Sequence, residues 1–471
     1  MRRTLKWPGL IALGIGAIIG AGLFARTPAA AGQNAGPGVT LSFVIAAIGC
    51  CFAGLCYAEF AAMIPIAGSA YTYAYVTMGE LVAWVIGWAL ILEYALGAAT
   101  LSIYWTEYLN ELFPNLVPWA WRHSPLQTSP AGVHGIVNAP ALLILLVMTL
   151  LLIKGTSESA TVNAIIVAVK VTIVVIIIAI GWRFINPANH TPFVLAADAT
   201  HQGLFKHGWG GILGGTGVVF FAFIGFDAVS TAAQETINPG KNMPIGILGS
   251  PAVCTVLYIL FSWVLTGVAP ALDFVDPLKG GEASVAYAIK TYMTGFSWLA
   301  KLVDVAILAG FSSVMLVMLL GQSRVFFSMA KDGLLPKLFA DVHPKFATPY
   351  KCNAVLYIFV GLLGGFLPGD ITGNLTNIGT LFAFVLVCIG VWVMRGKNPQ
   401  QERPFRAPLV PLVPILGAIF CTAMIISVDV TTKIAAAVWM LIGLAVYFAY
   451  ARSHSKLSAP GLGVPQAEPA D

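Results

Sequence analysis

Apolar runs long enough to cross a lipid bilayer recur along almost the whole chain, from about residue 8 to residue 451. A spanning helix needs about 20 apolar residues. Because the hydrocarbon core offers no water to backbone N–H and C=O groups, chain exposed to lipid must form helices or a closed barrel. A mean hydropathy of +0.86 with only 10% charged residues excludes a soluble globular domain. The sequence therefore predicts an all-α membrane protein.

The apolar runs divide into twelve predicted transmembrane helices. Each is bounded by polar residues, glycine or proline, which end apolar segments. In chain order the predicted helices are Pro8–Thr27, Gly38–Ile64, Met78–Leu112, Val137–Ile153, Ala160–Phe184, Gly210–Glu235, Pro244–Val268, Trp298–Ala330, Tyr350–Leu367, Leu375–Met394, Leu409–Ser427 and Thr431–Ala451.

The distribution of Lys and Arg orients the chain. Twelve spans put both termini on one side, and the loops and ends on that side hold sixteen of the 25 basic residues, against eight on the other side. Basic residues accumulate in cytoplasmic loops, so we expect both termini in the cytoplasm of a cell (plasma or inner) membrane. Residues 453–471, rich in Pro, Ala, Gly and Ser, are expected to form a disordered cytoplasmic tail.

The first predicted helix contains a stretch that is poorly suited to a continuous helix. Four of the nine residues from Gly14 to Gly22 are glycine. Glycine costs about 1 kcal/mol relative to alanine inside a helix. One interpretation of these glycines is close packing against a neighbouring membrane helix, which small residues allow. The other is an unwound segment whose exposed backbone binds a substrate.

The sixth predicted helix contains a second interruption. Glycines open it, and the run Phe220–Asp227 places Gly225 and an acidic residue in mid-span. The first and sixth helices each begin a block of five. Interrupted helices at corresponding positions of two halves indicate a transporter with its site near the midplane.

Four motifs resemble the amino acid–polyamine–organocation (APC) superfamily, and within it the bacterial relatives of the cationic amino acid transporters. They are GIGAIIGAGLF at 14–24, CYAEFAAMIPIAGSAYTYAY at 56–75, FFAFIGFDAVSTAAQETINP at 220–239 and GQSRVFFSMAKDGLLPKLFADVHPKFATPY at 321–350. The resemblance implies a transporter domain over 1–452 with a five-plus-five inverted repeat, about 8–184 and 210–394, followed by two further helices at about 409–451. It also implies that helices 1 and 6 are broken at the midplane and that amino acids cross by alternating access.

The main-chain part of an amino acid carries a carboxylate and an ammonium group. The N-terminal end of a half-helix offers amide donors and the positive end of the helix dipole to an anion. We therefore predict that Gly20, Ala21 and Gly22 bind the carboxylate. Carbonyls freed at the two breaks suit the ammonium group, namely those of Ile18, Phe221, Ala222 and Ile224. Many relatives have Ser or Thr at the position of Ala21, so we expect backbone recognition here without a hydroxyl.

Aromatic residues are predicted to determine side-chain selectivity. These are Phe221, Phe223 and Phe226 in the sixth helix and Phe311 in the eighth, where Ser312 and Ser313 follow. Bulky rings leave a small apolar pocket, which favours small neutral amino acids such as alanine. Glu93 in the third helix is a candidate to line the pocket, and a cationic amino acid carrier or an exchanger remains the alternative. The aromatic residues could equally serve helix packing.

Lys170 lies in the middle of the fifth predicted helix, too far from either end to reach water easily. An ionisable residue at membrane depth is a functional candidate by default. In the family, a lysine here resembles a substitute for a sodium ion and would contact a carbonyl of the first helix, that of Gly16. We predict proton coupling through Lys170. A structural lysine paired with a carboxylate is the alternative.

Other functional classes have weaker support. No nucleophile–base arrangement, metal-ligand spacing or phosphate-binding loop is recognisable, so we expect neither an enzyme nor a metal or other cofactor. A non-transporting sensor on the same scaffold would have no use for Lys170. We expect amino acid, protons and membrane lipids as partners and no nucleic acid; the oligomeric state is open. Glu59, at the inner end of the second helix, is predicted to hold a cytoplasmic polar network.

Overall fold

The structure, a computed structural model, describes residues 5–64, 69–155, 160–196, 203–274, 284–346 and 348–456. These residues form helices and loops, and the described part contains two isolated β-bridges and no strand. The basic Arg2 and Arg3 and most of the expected tail lie outside the described residues. In chain order the α-helices are α1 Trp7–Ile18, α2 Thr27–Ala30, α3 Val39–Met63, α4 Ser69–Thr77, α5 Glu80–Leu112, α6 Ala139–Lys154, α7 Ala160–Gly181, α8 Gly208–Val219, α9 Pro239–Val268, α10 Ser284–Tyr292, α11 Ser297–Lys331, α12 Tyr350–Phe366, α13 Gly369–Lys397, α14 Leu412–Ser427, α15 Val430–Val446 and α16 Arg452–His454.

The helices have the length and composition of membrane spans. Eight helical stretches within the described residues are long and apolar enough to cross a bilayer, and four shorter apolar helices accompany them. The shorter ones are α1, α6, α12 and α14. Exposed Leu, Ile and Val side chains cover the outside of the bundle, as expected for a surface that faces lipid tails. The chain is therefore a multi-span all-helical membrane protein.

Some helix boundaries differ from the sequence-based prediction. Helix α9 begins at Pro239 rather than Pro244, since proline suits the first helical position and its missing N–H would be unsatisfied there anyway. Helix α13 begins at Gly369, before the predicted start at Leu375. Its first two turns are polar, and the prediction followed the apolar run that begins after them. Helix α4, with buried Tyr71 and Tyr73, is absent from the prediction because it lacks an apolar run of spanning length.

The two glycine-rich segments run antiparallel and meet at their middles. At one end, Leu5 N–H donates to Glu235 O at 3.0 Å. At the other end, Asn34 Nδ2 donates to Phe205 O at 2.8 Å. The segment that begins with α1 therefore runs against the segment that begins with α8, and each passes the other near its own interruption.

A buried ion cluster joins α3, α13 and the loop before α14. Glu59, which is 2% exposed, accepts from Arg395 Nε at 3.1 Å and Nη2 at 2.7 Å. It also accepts from the backbone N–H of Ala407 at 2.8 Å and lies 3.4 Å from Arg403 Nε. The predicted polar network around Glu59 is present, and it fixes the loop at residues 403–407 against the end of α3.

Replacing Glu59 by Gln should destabilise the protein strongly. The change leaves Arg403 buried beside a neutral amide, and breaking a buried ion pair from one side costs about 3–5 kcal/mol. We expect a clear drop in the melting temperature of the detergent-solubilised protein. The matched control is Asp341→Asn, since Asp341 pairs with Lys351 at 2.6 Å but both side chains are more than 40% exposed. An exposed pair contributes about 0–1 kcal/mol, so equal melting temperatures for the two variants would contradict this account.

Candidate functional site

The first interruption lies directly after α1. The helix ends at Ile18, and Ile19 takes an extended conformation with φ −72° and ψ 101°. A wider, π-helical turn then runs from Gly22 to Arg26. The break therefore falls inside the predicted glycine stretch.

The second interruption follows α8. A 3₁₀ turn, Phe220–Phe223, leads to Ile224, whose ψ of 137° is extended. Gly225 has a φ of +108°, a conformation that glycine adopts without the steric cost of a side chain. A 3₁₀ helix, Asp227–Glu235, completes the segment.

The two breaks are in direct contact. A Cβ atom placed on Gly22 would collide with the backbone of Ala222. A Cβ atom on Gly225 would lie 3.0 Å from Ala17 O. Each segment thus supplies a glycine where the other backbone approaches most closely, and neither position has room for a side chain.

The carbonyls freed by the breaks have side-chain partners. In a continuous helix Gly16 O would accept from the N–H four residues later; here it accepts from Lys170 Nζ at 2.9 Å. The hydroxyl of Tyr258, on α9, lies 3.2 Å from Ile18 O and 2.9 Å from Ala222 O and donates to this pair of carbonyls. Lys170 and Tyr258 therefore satisfy backbone groups that would otherwise be unpaired at membrane depth.

The residues whose amides are freed by the first break line a small cavity. Gly20, Ala21 and Gly22 are the first residues of the outer half of the segment, where N–H groups have no acceptor within the helix. They line the cavity together with Ala17, Ile18, Phe221 and Ile224. The volume open to a water molecule is about 10 Å³, close to the minimum that holds one water.

Two further helices complete the cavity with aliphatic groups. Gly97 and Leu101 line it from α5, and Val314 and Met318 line it from α11. Its lining, as described, includes no charged side chain. These four residues, like Tyr258, were not among the sequence-based predictions. No signal in the sequence singles them out from other apolar residues of long helices.

Six of the ten predicted substrate-binding residues line the cavity. The other four are buried beside it: Ala222, Phe226, Glu93 and Phe311. Phe226 packs against Phe384 and Phe311 against Tyr108, with ring centroids 5.1 Å and 5.8 Å apart. The rings of Phe226 and Phe311 therefore belong to helix packing in this conformation.

Lys170 reaches the first break between two other helices. It lies on α7 and is 3% exposed. Its aliphatic stem crosses Gly310 of α11, where an added Cβ atom would lie 3.1 Å from Lys170 Cε. The ammonium group is thus held between α1, α7 and α11. The predicted contact with Gly16 is present, and the role in proton coupling stays a prediction.

A cluster of buried polar side chains lies near the second break. Tyr94 OH donates to Asp227 Oδ2 at 2.6 Å, and Glu93 interacts with the same aspartate. All three residues are fully buried. Glu93 therefore faces the start of the 3₁₀ helix that follows the break rather than the cavity.

Arg26 is buried on the side of the cavity away from the chain termini. It is 2% exposed, hydrogen-bonded to the side chain of Asn374 on α13, and 3.4 Å from Tyr104 OH on α5. Tyr108 OH donates to Phe24 O at 3.1 Å nearby. These contacts tie the outer half of the first segment to its neighbours and agree with the small size of the cavity.

A family model described as amino acid permease matches residues 5–452. The chain belongs to the amino acid permease family. This permease is a transporter by family, not an enzyme, and the match covers both breaks and every helix that forms the cavity.

Relatives of this permease carry different substrate names. A branched-chain amino acid permease of Bacillus subtilis is 43% identical over 97% of this chain and 95% of its own length. A methylthioribose transporter of the same organism is 40% identical over the same shares. A vacuolar cationic amino acid transporter of Arabidopsis thaliana is 34% identical over 85% of this chain and 64% of its own length.

Gly22→Ala should weaken substrate binding strongly, and Gly20→Ala should weaken it less. The added methyl group at Gly22 would push the Ala222 backbone away, whereas at Gly20 it would meet only Val314 and Leu101 side chains, at 3.3 Å and 3.7 Å. We expect the Kd for alanine to rise more than tenfold in Gly22→Ala, about 1.4 kcal/mol, and less in Gly20→Ala. Titration calorimetry measures both, with melting temperature as the folding control. Wild-type affinity in a folded Gly22→Ala protein would show that the two breaks need not touch.

Proposed function

We propose that this permease is a secondary active transporter that carries neutral L-amino acids with small or branched aliphatic side chains by alternating access, in symport with protons. The observation that supports this most strongly is the pairing at the first break. Gly20, Ala21 and Gly22 line a cavity, and a buried lysine holds a carbonyl of the same segment.

Recognition of the amino acid rests on the backbone. A carboxylate placed against Gly20, Ala21 and Gly22 would accept hydrogen bonds from N–H groups that also carry the positive end of a helix dipole. The ammonium group would bind the carbonyl side of the site. Tyr258 already donates to two of the four predicted carbonyls, those of Ile18 and Ala222. Phe221 O and Ile224 O are the acceptors that Tyr258 does not contact.

Selectivity follows from the cavity walls. Leu101, Val314 and Met318 offer aliphatic contacts, and Gly97 leaves space beside them. Transferring a guanidinium or second ammonium group into such a cavity without a hydrogen-bonding partner costs several kcal/mol. The walls therefore favour alanine, valine or leucine over arginine. The name of the branched-chain relative agrees with this choice, and the name of the plant relative supports the alternative of a cationic substrate.

Coupling to protons rests on the position of Lys170. While protonated, it donates to Gly16 O and holds α1 against α7 and α11. A neutral amine would hold that carbonyl less strongly, because charge-assisted hydrogen bonds are about twice as strong as neutral ones. Gly16 and the amides that bind the carboxylate lie on either side of one break. Protonation and substrate binding would thus favour the same arrangement of the first segment.

The predicted topology has support from the antiparallel contact of the two broken segments. We propose twelve spans, with inverted repeats at about 8–184 and 210–394 and two additional helices at about 409–451. The excess of basic residues on the side of the termini supports a cytoplasmic location for both ends, in a plasma membrane. The acidic and basic residues of the Glu59 cluster would then lie on the cytoplasmic side.

Uptake of radiolabelled alanine into proteoliposomes tests the coupling. We expect a gradient that is acidic outside to drive accumulation, and sodium to have no effect. Lys170→Met keeps the length of the side chain without the charge, and it should lower gradient-driven uptake to background. Lys301→Met, which changes an exposed lysine, is the matched control and should behave as wild type. Uptake that ignored the pH gradient, required sodium or survived Lys170→Met would contradict proton coupling through Lys170.

Competition with unlabelled amino acids tests the selectivity. Excess alanine, valine or leucine should block uptake of labelled alanine, and excess arginine or lysine should not, because the described cavity wall holds no carboxylate. Efficient competition by arginine would favour the cationic alternative. Methylthioribose belongs in the same assay, since a relative bears that name.

A further inference from the structure

A large groove lies on the side of the chain termini, away from the substrate cavity. Its volume is about 990 Å³. The end of α3, the first three turns of α9 and the loop before α14 line it. Most of the wall is apolar, with Met63, Ile245, Leu248 and Phe405 among the lining residues. The groove is therefore larger and more apolar than a site for a small polar solute requires.

The groove is continuous with the surface that faces lipid. Ile245 lines it and is 38% exposed. Val256, three turns later on the same face of α9, is 59% exposed. An acyl chain can thus pass from the bilayer into the groove without leaving apolar surroundings.

Positive charge is concentrated at the end of the groove that lies nearest the chain termini. Lys241 belongs to the wall and is exposed. At the N-terminus of α9 beside it, Pro239 has no N–H and the N–H of Lys241 donates to Asn238 O at 3.1 Å, so the charged side chain of Lys241 is the group that this end offers to an anion. Two further exposed basic residues are next in sequence to residues at this end. Lys6 follows Leu5, whose carbonyl accepts from Ile237 N–H at 2.8 Å, and Arg406 follows Phe405, which is part of the wall. The lining, as described, contains no acidic side chain.

The wall formed by the loop is held in place by the Glu59 cluster. Arg403 lies 3.4 Å from Glu59, and the N–H of Ala407 donates to the same carboxylate at 2.8 Å. These contacts flank Pro404 and Phe405. Pro404 in turn packs on Gly240, where a Cβ atom would lie 2.8 Å from Pro404 Cβ. The groove is thus a built feature of the fold rather than a gap between loose elements.

We propose that this groove binds one anionic phospholipid. The phosphate is held by the side chain of Lys241, and an acyl chain lies along Ile245, Leu248 and Phe405. The groove is apolar, opens to the bilayer and ends in basic side chains. It therefore matches a lipid with a negatively charged headgroup and an apolar acyl tail. Gly249 in the wall packs on Ile11 of α1, so an occupied groove supports the helix that leads into the first break.

Native mass spectrometry of the detergent-solubilised full chain tests this proposal. The probes are phosphatidylglycerol and phosphatidylcholine with identical acyl chains, and inorganic phosphate alone. We expect one molecule of phosphatidylglycerol to be retained in preference to phosphatidylcholine, and phosphate not to displace it. Lys241→Gln should weaken retention about fivefold, the factor that one basic side chain contributes near an anionic surface. Ile245→Trp should obstruct the part of the groove where the acyl chain lies and weaken retention.

Matched variants separate the groove from general lipid contact. Lys337→Gln removes another exposed lysine, and Val438→Trp adds the same ring to an exposed position of α15, which is not part of the groove. Both should retain phosphatidylglycerol as wild type does. Equal retention of the two lipids, displacement by inorganic phosphate, or unchanged retention in Lys241→Gln and Ile245→Trp would each overturn the proposal. Because the readout is binding rather than uptake, its outcome is independent of whether the proposed transport is correct.

Discussion

The structure depends on one constraint, which is that every backbone group freed inside the membrane must find a partner. Two broken helices leave carbonyls and amides unpaired at the same depth. Side chains satisfy the carbonyls: Lys170 bonds Gly16 O, and Tyr258 bonds Ile18 O and Ala222 O. Gly20 to Gly22 line the cavity instead. In the proposed function, a substrate carboxylate accepts hydrogen bonds from their amides.

The same constraint joins recognition to coupling. In the proposed mechanism, Lys170 and the substrate act on the two sides of one break, so each would affect the conformation that the other binds. Tyr258 adds a third connection, because it bridges both breaks from α9. That helix also carries Lys241 and Ile245 at its beginning, in the proposed lipid groove. A single helix therefore extends from the membrane surface to the centre of the site.

The sequence predicted the breaks and their main partner well, because glycine inside a lipid-embedded helix and a lysine at mid-span have few explanations. Six of ten proposed binding residues line the cavity. Tyr258, Leu101, Val314 and Met318 were missed, since an aromatic or aliphatic residue in a long apolar helix has no distinguishing pattern until the packing is known. For Phe226 and Phe311 the sequence left binding and helix packing open, because ring size indicates burial and only the structure shows the packing against Phe384 and Tyr108.

A structure of the permease with bound alanine tests the central claim, that the backbone of the broken segment recognises the amino acid. We predict both carboxylate oxygens at about 2.7–3.2 Å from N–H groups of Gly20, Ala21 and Gly22, with the methyl group towards Gly97 and Val314. A carboxylate bound to the side chain of an Arg or Lys would contradict it, as would an alanine bound elsewhere with the amides of Gly20 to Gly22 unoccupied.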